Sequence, residues 1–162
     1  MTQKITTRKY NPNDARALAE IYYHTIHKVN ARDYSEKQVN AWAPSSSLEP
    51  DGLEDWKKKW AKVVPIVALQ GDNVVGFTEF ETSGHIDCFF VHHAFQGVGV
   101  GTTLMSAIEQ EAKEKKIHLI YTEASITAKP FFSKKGFETV KQKIDVIRGC
   151  ELICYVMQKR FL

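Results

Sequence analysis

The clearest chemical signal in this sequence lies in residues 85–101, where glycine occupies every second position from Gly97 to Gly101. The segment before Gln96 is rich in Ile, Phe and Val, which is typical of a β-strand. The segment after Gly101 has a helical pattern. The first N–H groups of a helix lack partners and carry partial positive charge, so glycines there expose them to an anion. The stretch therefore predicts a phosphate-binding loop.

Two common nucleotide-binding loops do not match this spacing. A Walker loop has Lys and then Ser or Thr directly after its second glycine, whereas Gly101 is followed by Thr102. A dinucleotide-binding fingerprint has a third glycine three residues after a Gly-x-Gly pair, where Thr102 or Leu104 stands here. The spacing excludes both classes of loop.

The arrangement Gln96-x-x-Gly99-x-Gly101 resembles the Gln/Arg-x-x-Gly-x-Gly/Ala signature of the GNAT superfamily of acyl-CoA N-acyltransferases. The strand end Val91-His92 and the downstream segment 124–137, which ends in Gly-Phe, are similar to the same family. The resemblance covers the second half of the chain, and the first half matches in its pattern of elements. It implies an N-acetyltransferase that uses acetyl-CoA as the acyl donor, with no metal.

The resemblance also implies where acetyl-CoA would lie. Its pyrophosphate is expected at the backbone amides of residues 97–102, and its pantetheine arm in a gap between the strand before the glycine loop and the strand after the helix. The expected cofactor-binding residues are Phe89, Phe90, Val91, Gln96, Gly97, Val98, Gly99, Val100, Gly101, Thr102, Ser125 and Phe132.

Acetyl transfer requires that the acceptor amine lose a proton, so a general base is needed. Alternation along a strand predicts that His85 and Asp87 share one face with Phe89 and Val91, about 7 Å apart, with Cys88 on the other face. Some members of the family carry their base at these two strand positions. The resemblance therefore implies His85 and Asp87 as catalytic residues.

Two glutamates near this strand are weaker candidates. A two-residue turn at Ser83-Gly84 would pair Phe80 with Asp87. That register would direct Glu79 and Glu81 to the opposite face, away from the site.

The second motif departs from the family at one position. Members usually have Tyr four residues before the motif's Gly, and its hydroxyl protonates the leaving thiolate; Phe132 stands there. Ser125 occupies a position where many members have Asn, and Thr127 and Ser133 are nearby hydroxyls. A coenzyme A-binding sensor or regulatory module without turnover is therefore the alternative function.

Composition favours one soluble domain spanning residues 1–162, with 43% hydrophobic and 25% charged residues. The net charge of +3 is small and the lysines read as solvated helix faces, which disfavours nucleic-acid binding. Neither an apolar run of membrane-spanning length nor a signal peptide is found, so a cytoplasmic location is expected. The three cysteines lack metal-ligand spacing and are expected to be buried, reduced thiols.

The element pattern predicts an α/β (α+β) fold with a mixed, largely antiparallel central sheet flanked by helices. The resemblance implies that this sheet is GNAT-like and splayed at the cofactor cleft. The acceptor is expected to be a small-molecule or peptide amine, and a homodimer is left open. Aromatic residues of the early helices are candidates for the acceptor pocket, although tryptophan at helical spacing is more often core. They are Tyr22, Tyr23, Tyr34, Trp42, Trp56 and Trp60.

Overall fold

A computed structural model describes residues 3–161. The helices are α1 (Ala15–Lys28), α2 (Glu36–Trp42), α3 (Pro50–Lys62), α4 (Val100–Glu114) and α5 (Lys129–Lys134). The strands are β1 (Ile5–Lys9), β2 (Ile66–Gln70), β3 (Asn73–Phe80), β4 (His85–Val91), β5 (Leu119–Ser125), β6 (Glu138–Ile147) and β7 (Cys150–Arg160). Within residues 3–161, no helix has both the length and the apolar character needed to cross a membrane.

The strands form one sheet in the order β1-β2-β3-β4-β5-β7-β6. Every neighbouring pair is antiparallel except β4 and β5, which are parallel and joined through α4. The predicted fold class is confirmed. Ser35 and Gln38 form a reciprocal capping box at the start of α2.

The sheet is splayed between β4 and β5. These strands pair only where His85 lies beside Tyr121 and Ile86 beside Thr122, and they separate after those two positions. Residues 87–91 therefore present one backbone edge to a gap instead of to a neighbouring strand.

The register of β3 with β4 corrects the predicted alternation. Thr78 pairs with Phe89 and Phe80 pairs with Ile86, so Glu79 faces both Asp87 and Cys88. This is a β-bulge, in which two residues of one strand oppose one residue of the other. The predicted pairing of Phe80 with Asp87 is wrong.

The bulge also changes which side chains share a face of the sheet. Phe89 and Val91 pack with Ile86 against the core beneath α4, whereas Cys88 and Phe90 pack against α1 and α3. Asp87 lies with the second set, because it pairs with Lys59 of α3. The prediction that Asp87 shares a face with Phe89 is therefore wrong.

Hydrophobic cores lie on both faces of the sheet. The core beneath α4 joins both halves of the sheet and includes Ile66, Val75, Leu104, Met105, Ile108, Ile120 and Met157. The opposite core lies under α1 and α3 and includes Leu18, Trp60, Val67 and Phe77. All three cysteines are free and buried, as predicted.

Candidate active site

The glycine loop leads directly into α4. Gly97 and Gly99 have φ values of 74° and 96°, in the left-handed region that favours glycine. A Cβ atom at either position would meet nothing within 4 Å, so this side of the loop is open. Among residues 3–161, no acceptor bonds to the backbone amides of residues 97–102. The loop can therefore accept an anion at the helix N-terminus.

Other predicted loop residues have structural roles. The Gln96 amide donates to the Val91 carbonyl at 2.7 Å and holds the loop against the end of β4. A Cβ atom on Gly101 would lie 3.0 Å from the Phe131 ring, so a small residue is needed where α4 meets α5. The Val100 side chain packs into the core, which leaves only its backbone amide free for a ligand. Val98 is largely exposed.

One basic residue near the loop was missed by sequence reasoning. The Lys135 ammonium donates to the Thr102 hydroxyl at 2.8 Å and therefore lies beside the start of α4. Its place in the Lys134-Lys135 pair suggested only a solvated helix face, and the sequence holds no signal for the contact.

A cleft of about 500 Å³ passes through the gap between β4 and β5. Five predicted cofactor residues do not line it and belong to the glycine loop or the start of α4, namely Gly97, Val98, Gly99, Val100 and Thr102. The predicted residues that line the cleft are His85, Asp87, Phe89, Phe90, Val91, Gln96, Gly101, Ser125 and Phe132.

Asp87 belongs to a charged cluster at the bulge. The Lys59 ammonium lies 3.0 Å from the Asp87 carboxylate and 3.4 Å from the carboxylate of Glu79, which is 1% exposed. Burial raises the pKa of Glu79, although Lys59 opposes the shift. Burial also disfavours the charged form of Lys59, but Cys88, Glu79 and Asp87 outweigh it and raise the Lys59 pKa.

Sequence reasoning missed Lys59 and set Glu79 aside. Lys59 lies in the Lys57-Lys58-Lys59 run, which suggests a solvated face, and Glu79 enters the cluster only through the bulge. Of the described residues, Glu79, Asp87 and Cys88 alone have metal-ligand spacing, with ligand atoms within 4.8 Å of one another. The Lys59 ammonium already lies 3.0 to 3.8 Å from all three, so the arrangement is an ion-pair cluster.

His85 is held between two carboxylates. Its Nε2 lies 2.5 Å from Glu123, its Nδ1 lies 3.3 Å from Glu81, and its ring stacks on Tyr121. Burial alone would lower the pKa of His85, but the bond and charge of Glu123, helped by Glu81, raise it. A larger fraction of His85 is therefore protonated at a given pH, and the protonated ring has no lone pair with which to accept a proton.

A third charged pair comes from the closing hairpin. Lys143 and Asp145 of β6 lie 3.1 Å apart and both line the cleft. The hairpin is bonded to α2, because Arg148 donates to the Ala41 carbonyl at 2.7 Å and the Gln38 amide donates to the Glu151 carbonyl at 2.8 Å. The wall formed by α2 and the wall formed by β6 and β7 are therefore joined.

Phe132 is 2% exposed and packs edge-to-face on Phe89 and Phe137, at ring distances of 5.5 and 5.1 Å. It lines the cleft while forming part of the core beneath α4. The Ser125 hydroxyl accepts from the Ala128 amide at 3.0 Å and from the Asn30 side chain at 3.3 Å, so it caps the turn before α5.

The aromatic candidates separate into two groups. Tyr22, Tyr34 and Trp42 line the cleft, whereas Tyr23, Trp56 and Trp60 do not. Tyr22 lies 4.9 Å from Phe90 and Trp42 lies 6.4 Å from it, measured between ring centroids. An aromatic wall thus faces the charged cluster at the bulge. The arrangement as a whole can bind a phosphate at one end and a cationic or aromatic group at the other.

Comparisons with known proteins agree with this geometry. A family model described as an acetyltransferase (GNAT) domain matches residues 30–159. The uncharacterized N-acetyltransferase YafP of Escherichia coli is 32% identical over 154 residues, which is 95% of each chain.

Two solved structures have a similar fold. A GCN5-related N-acetyltransferase from Rhodopseudomonas palustris superimposes with a TM-score of 0.91 and 30% identity, over 99% of this chain and 98% of that chain. The PaiA N-acetyltransferase from Thermoplasma acidophilum, in complex with coenzyme A, gives a TM-score of 0.70 and 18% identity, over 98% and 99% of the two chains.

Proposed function

The chain belongs to the GNAT family of acetyl-CoA-dependent N-acetyltransferases, and we propose that it transfers an acetyl group from acetyl-CoA to a primary amine of a small molecule or peptide. The observation that carries the proposal is that an anion-binding loop lies at the cleft that contains the Asp87 cluster, with the gap between β4 and β5 joining the two sides. We propose that one domain, residues 1–162, performs the reaction.

The residues on one side of the cleft fit coenzyme A. The amides of residues 97–102 are free to donate hydrogen bonds to its pyrophosphate, and the open space at Gly97 and Gly99 leaves room for it. The splayed edge of β4 offers backbone groups of Phe89, Phe90 and Val91 to the pantetheine arm, except the Val91 carbonyl, which already accepts from Gln96. When bound, acetyl-CoA supplies the acetyl group as a thioester.

We assign deprotonation of the acceptor amine to Asp87. Its carboxylate lines the cleft at the position where β4 leaves β5, and Lys59 holds it by an ion pair of 3.0 Å. Carboxylates act as general bases when they lie within hydrogen-bond reach of the proton they remove. His85 lies beside this site, but its two carboxylate partners favour the protonated ring, which cannot accept the amine proton.

We propose that Phe132 forms an apolar wall on the cofactor side of the cleft. A thiol with a pKa near 8.5 is a tolerable leaving group at neutral pH, so a side-chain acid is not essential there. Tyr34 does not supply a substitute, because its hydroxyl donates to the Ile153 carbonyl at 2.6 Å and accepts from the Ile126 amide at 2.9 Å.

The proposal is tested by calorimetric titration with acetyl-CoA, coenzyme A and duplex DNA, followed by thiol release over a library of amines. We expect acetyl-CoA and coenzyme A to bind and duplex DNA to give no binding heat. We also expect at least one amine to cause release of thiol from acetyl-CoA. If acetyl-CoA binds and no amine releases thiol, the non-catalytic coenzyme A-binding module becomes the correct interpretation.

A further inference from the structure

The cleft wall opposite the glycine loop is built from aromatic rings. Tyr22 of α1, Trp42 of α2 and Phe90 of β4 all line the cleft and contact one another through Phe90. Tyr34 extends the wall, with its ring 5.5 Å from that of Trp42. Aromatic walls of this kind bind flat apolar groups by offset or edge-to-face stacking.

The charges that line the same cleft are already paired. They are three carboxylates and three cationic groups: Asp87 lies 3.0 Å from Lys59, Glu123 lies 2.5 Å from His85, and Asp145 lies 3.1 Å from Lys143. Glu79 lies behind Lys59 and is almost fully buried, and Glu81 lies behind His85. Among residues 3–161, the cleft therefore has no row of unpaired carboxylates of the kind that a polyamine with several positive charges needs.

The walls on the acceptor side are also bonded to each other. Arg148 and Gln38 bond α2 to the β6–β7 hairpin, and the Tyr34 hydroxyl donates to the backbone of β7 at Ile153. An extended peptide binds by running along a groove and pairing with an exposed strand edge. On this side of the cleft, side chains line the surface and hydrogen bonds join α2 to the β6–β7 hairpin. This arrangement suits a compact ligand better than an extended peptide.

We propose that the acceptor is a small amine attached, directly or through a short chain, to a flat aromatic ring, and this inference rests on the proposed acetyl transfer. The ring lies against Tyr22, Trp42 and Phe90, and the single amino group points toward Asp87. Attack by the nitrogen forms the amide bond and breaks the thioester carbon–sulfur bond. The amine proton passes to Asp87, and coenzyme A leaves as its thiol or thiolate.

The test compares kcat/KM for thiol release with four acceptors: 2-phenylethylamine, 2-cyclohexylethylamine, spermidine and a short peptide with a free N-terminal Ala. The two ethylamines match in length and in position of the amino group, and differ in the flatness of the ring. We expect 2-phenylethylamine to exceed its cyclohexyl analogue by about 5-fold, and to exceed spermidine and the peptide by more.

Variants locate the source of this preference. Trp42→Leu should remove the preference for the aromatic amine while Trp42→Phe retains part of it. Trp56→Leu is the matched control, because Trp56 contacts Tyr22 at 4.8 Å from outside the cleft and its loss should leave the preference intact. If Trp42→Leu does not fold, the comparison of the four acceptors with the wild-type protein still tests the proposed aromatic acceptor.

The outcomes separate the inference from the function it rests on. Faster thiol release with spermidine or the peptide, or equal rates with the two ethylamines, overturns the aromatic acceptor and leaves acetyl transfer standing. Binding of acetyl-CoA without thiol release from any amine overturns acetyl transfer itself.

Discussion

The two sides of the cleft differ in whether backbone groups or side chains form them. The side at the glycine loop consists mostly of backbone: free amides of residues 97–102 and the open edge of β4. The opposite side consists of side chains brought together from distant parts of the chain, such as Lys59 with Asp87 and His85 with Glu123, which lies 38 residues away. Backbone sites depend on local spacing, whereas side-chain sites depend on tertiary packing, so substitutions on the two sides should separate binding from turnover.

The largest expected effect comes from Asp87→Asn. Loss of a general base commonly reduces the rate by about 10²–10⁴-fold, so kcat should fall by that factor while the Kd of acetyl-CoA, measured by calorimetry, stays unchanged. Asp145→Asn is the matched control, because Asp145 lines the same cleft in a similar ion pair. Wild-type turnover with the same pH dependence in Asp87→Asn would place the base elsewhere.

Gly99→Asp tests the backbone side. A carboxylate beside the free amides should repel the pyrophosphate from the proposed anion site at the helix N-terminus and weaken acetyl-CoA binding by about 100-fold. Gly149→Asp is the control, since Gly149 also has a positive φ (77°) and open space around its Cβ position, but lies in the β6–β7 turn. Equal loss of binding in the two variants would show that backbone strain, and not the anion site, is responsible.

A smaller effect is expected where the two sides meet, at Phe132. Phe132→Tyr should leave turnover unchanged or raise it by up to about 10-fold, because a hydroxyl here can reach the cleft and protonate the leaving thiolate. Phe137→Tyr is the comparison, since Phe137 lies in the same core but does not line the cleft. Burying its unpaired hydroxyl should lower the free energy of unfolding by about 1–3 kcal/mol. A stable Phe132→Tyr protein that fails to bind acetyl-CoA would contradict the assignment.

The smallest effect concerns the pH dependence of stability. The folded pKa of His85 is raised, so its contribution is fully present below the unfolded value of about 6.5 and is lost as pH rises through the folded value. Urea unfolding should show wild type more stable than His85→Gln by up to about 1 kcal/mol at pH 5.5, with the difference shrinking at pH 8.5.

A wild-type advantage over His85→Gln that grows between pH 5.5 and pH 8.5 would mean that the histidine is held neutral.

The difference between the two sides also explains what the sequence alone could predict. The glycine loop follows from the spacing of Gly97, Gly99 and Gly101, and the fold class from the order of strand and helix patterns. The splayed strands were implied by the family resemblance, and the structure confirms the fold and the splay. The bulge at Asp87 was not predictable, because the connection spans residues 81–84 instead of two residues and the register follows from packing.

Helical spacing alone also did not show whether an aromatic side chain lies in the core or in the cleft. Trp42 and Trp60 both follow an amphipathic pattern, yet Trp60 is fully buried in the core under α1 and α3 while Trp42 lines the cleft. The rotation of each helix against the sheet decides this difference. That rotation depends on contacts with residues far away in the chain, which a local pattern does not record.

The narrow joint between β4 and β5 has a consequence for folding kinetics. The joint consists of two pairs of residues, and the members of each pair lie 36 positions apart in the chain. Its few contacts therefore offset little of the chain entropy lost when it closes. Side chains of α4 pack against residues from both half-sheets, including Val75 and Ile120. We therefore expect the half-sheets to dock late in folding, in the step that seats α4, and the anion site at the start of α4 to form in that same step.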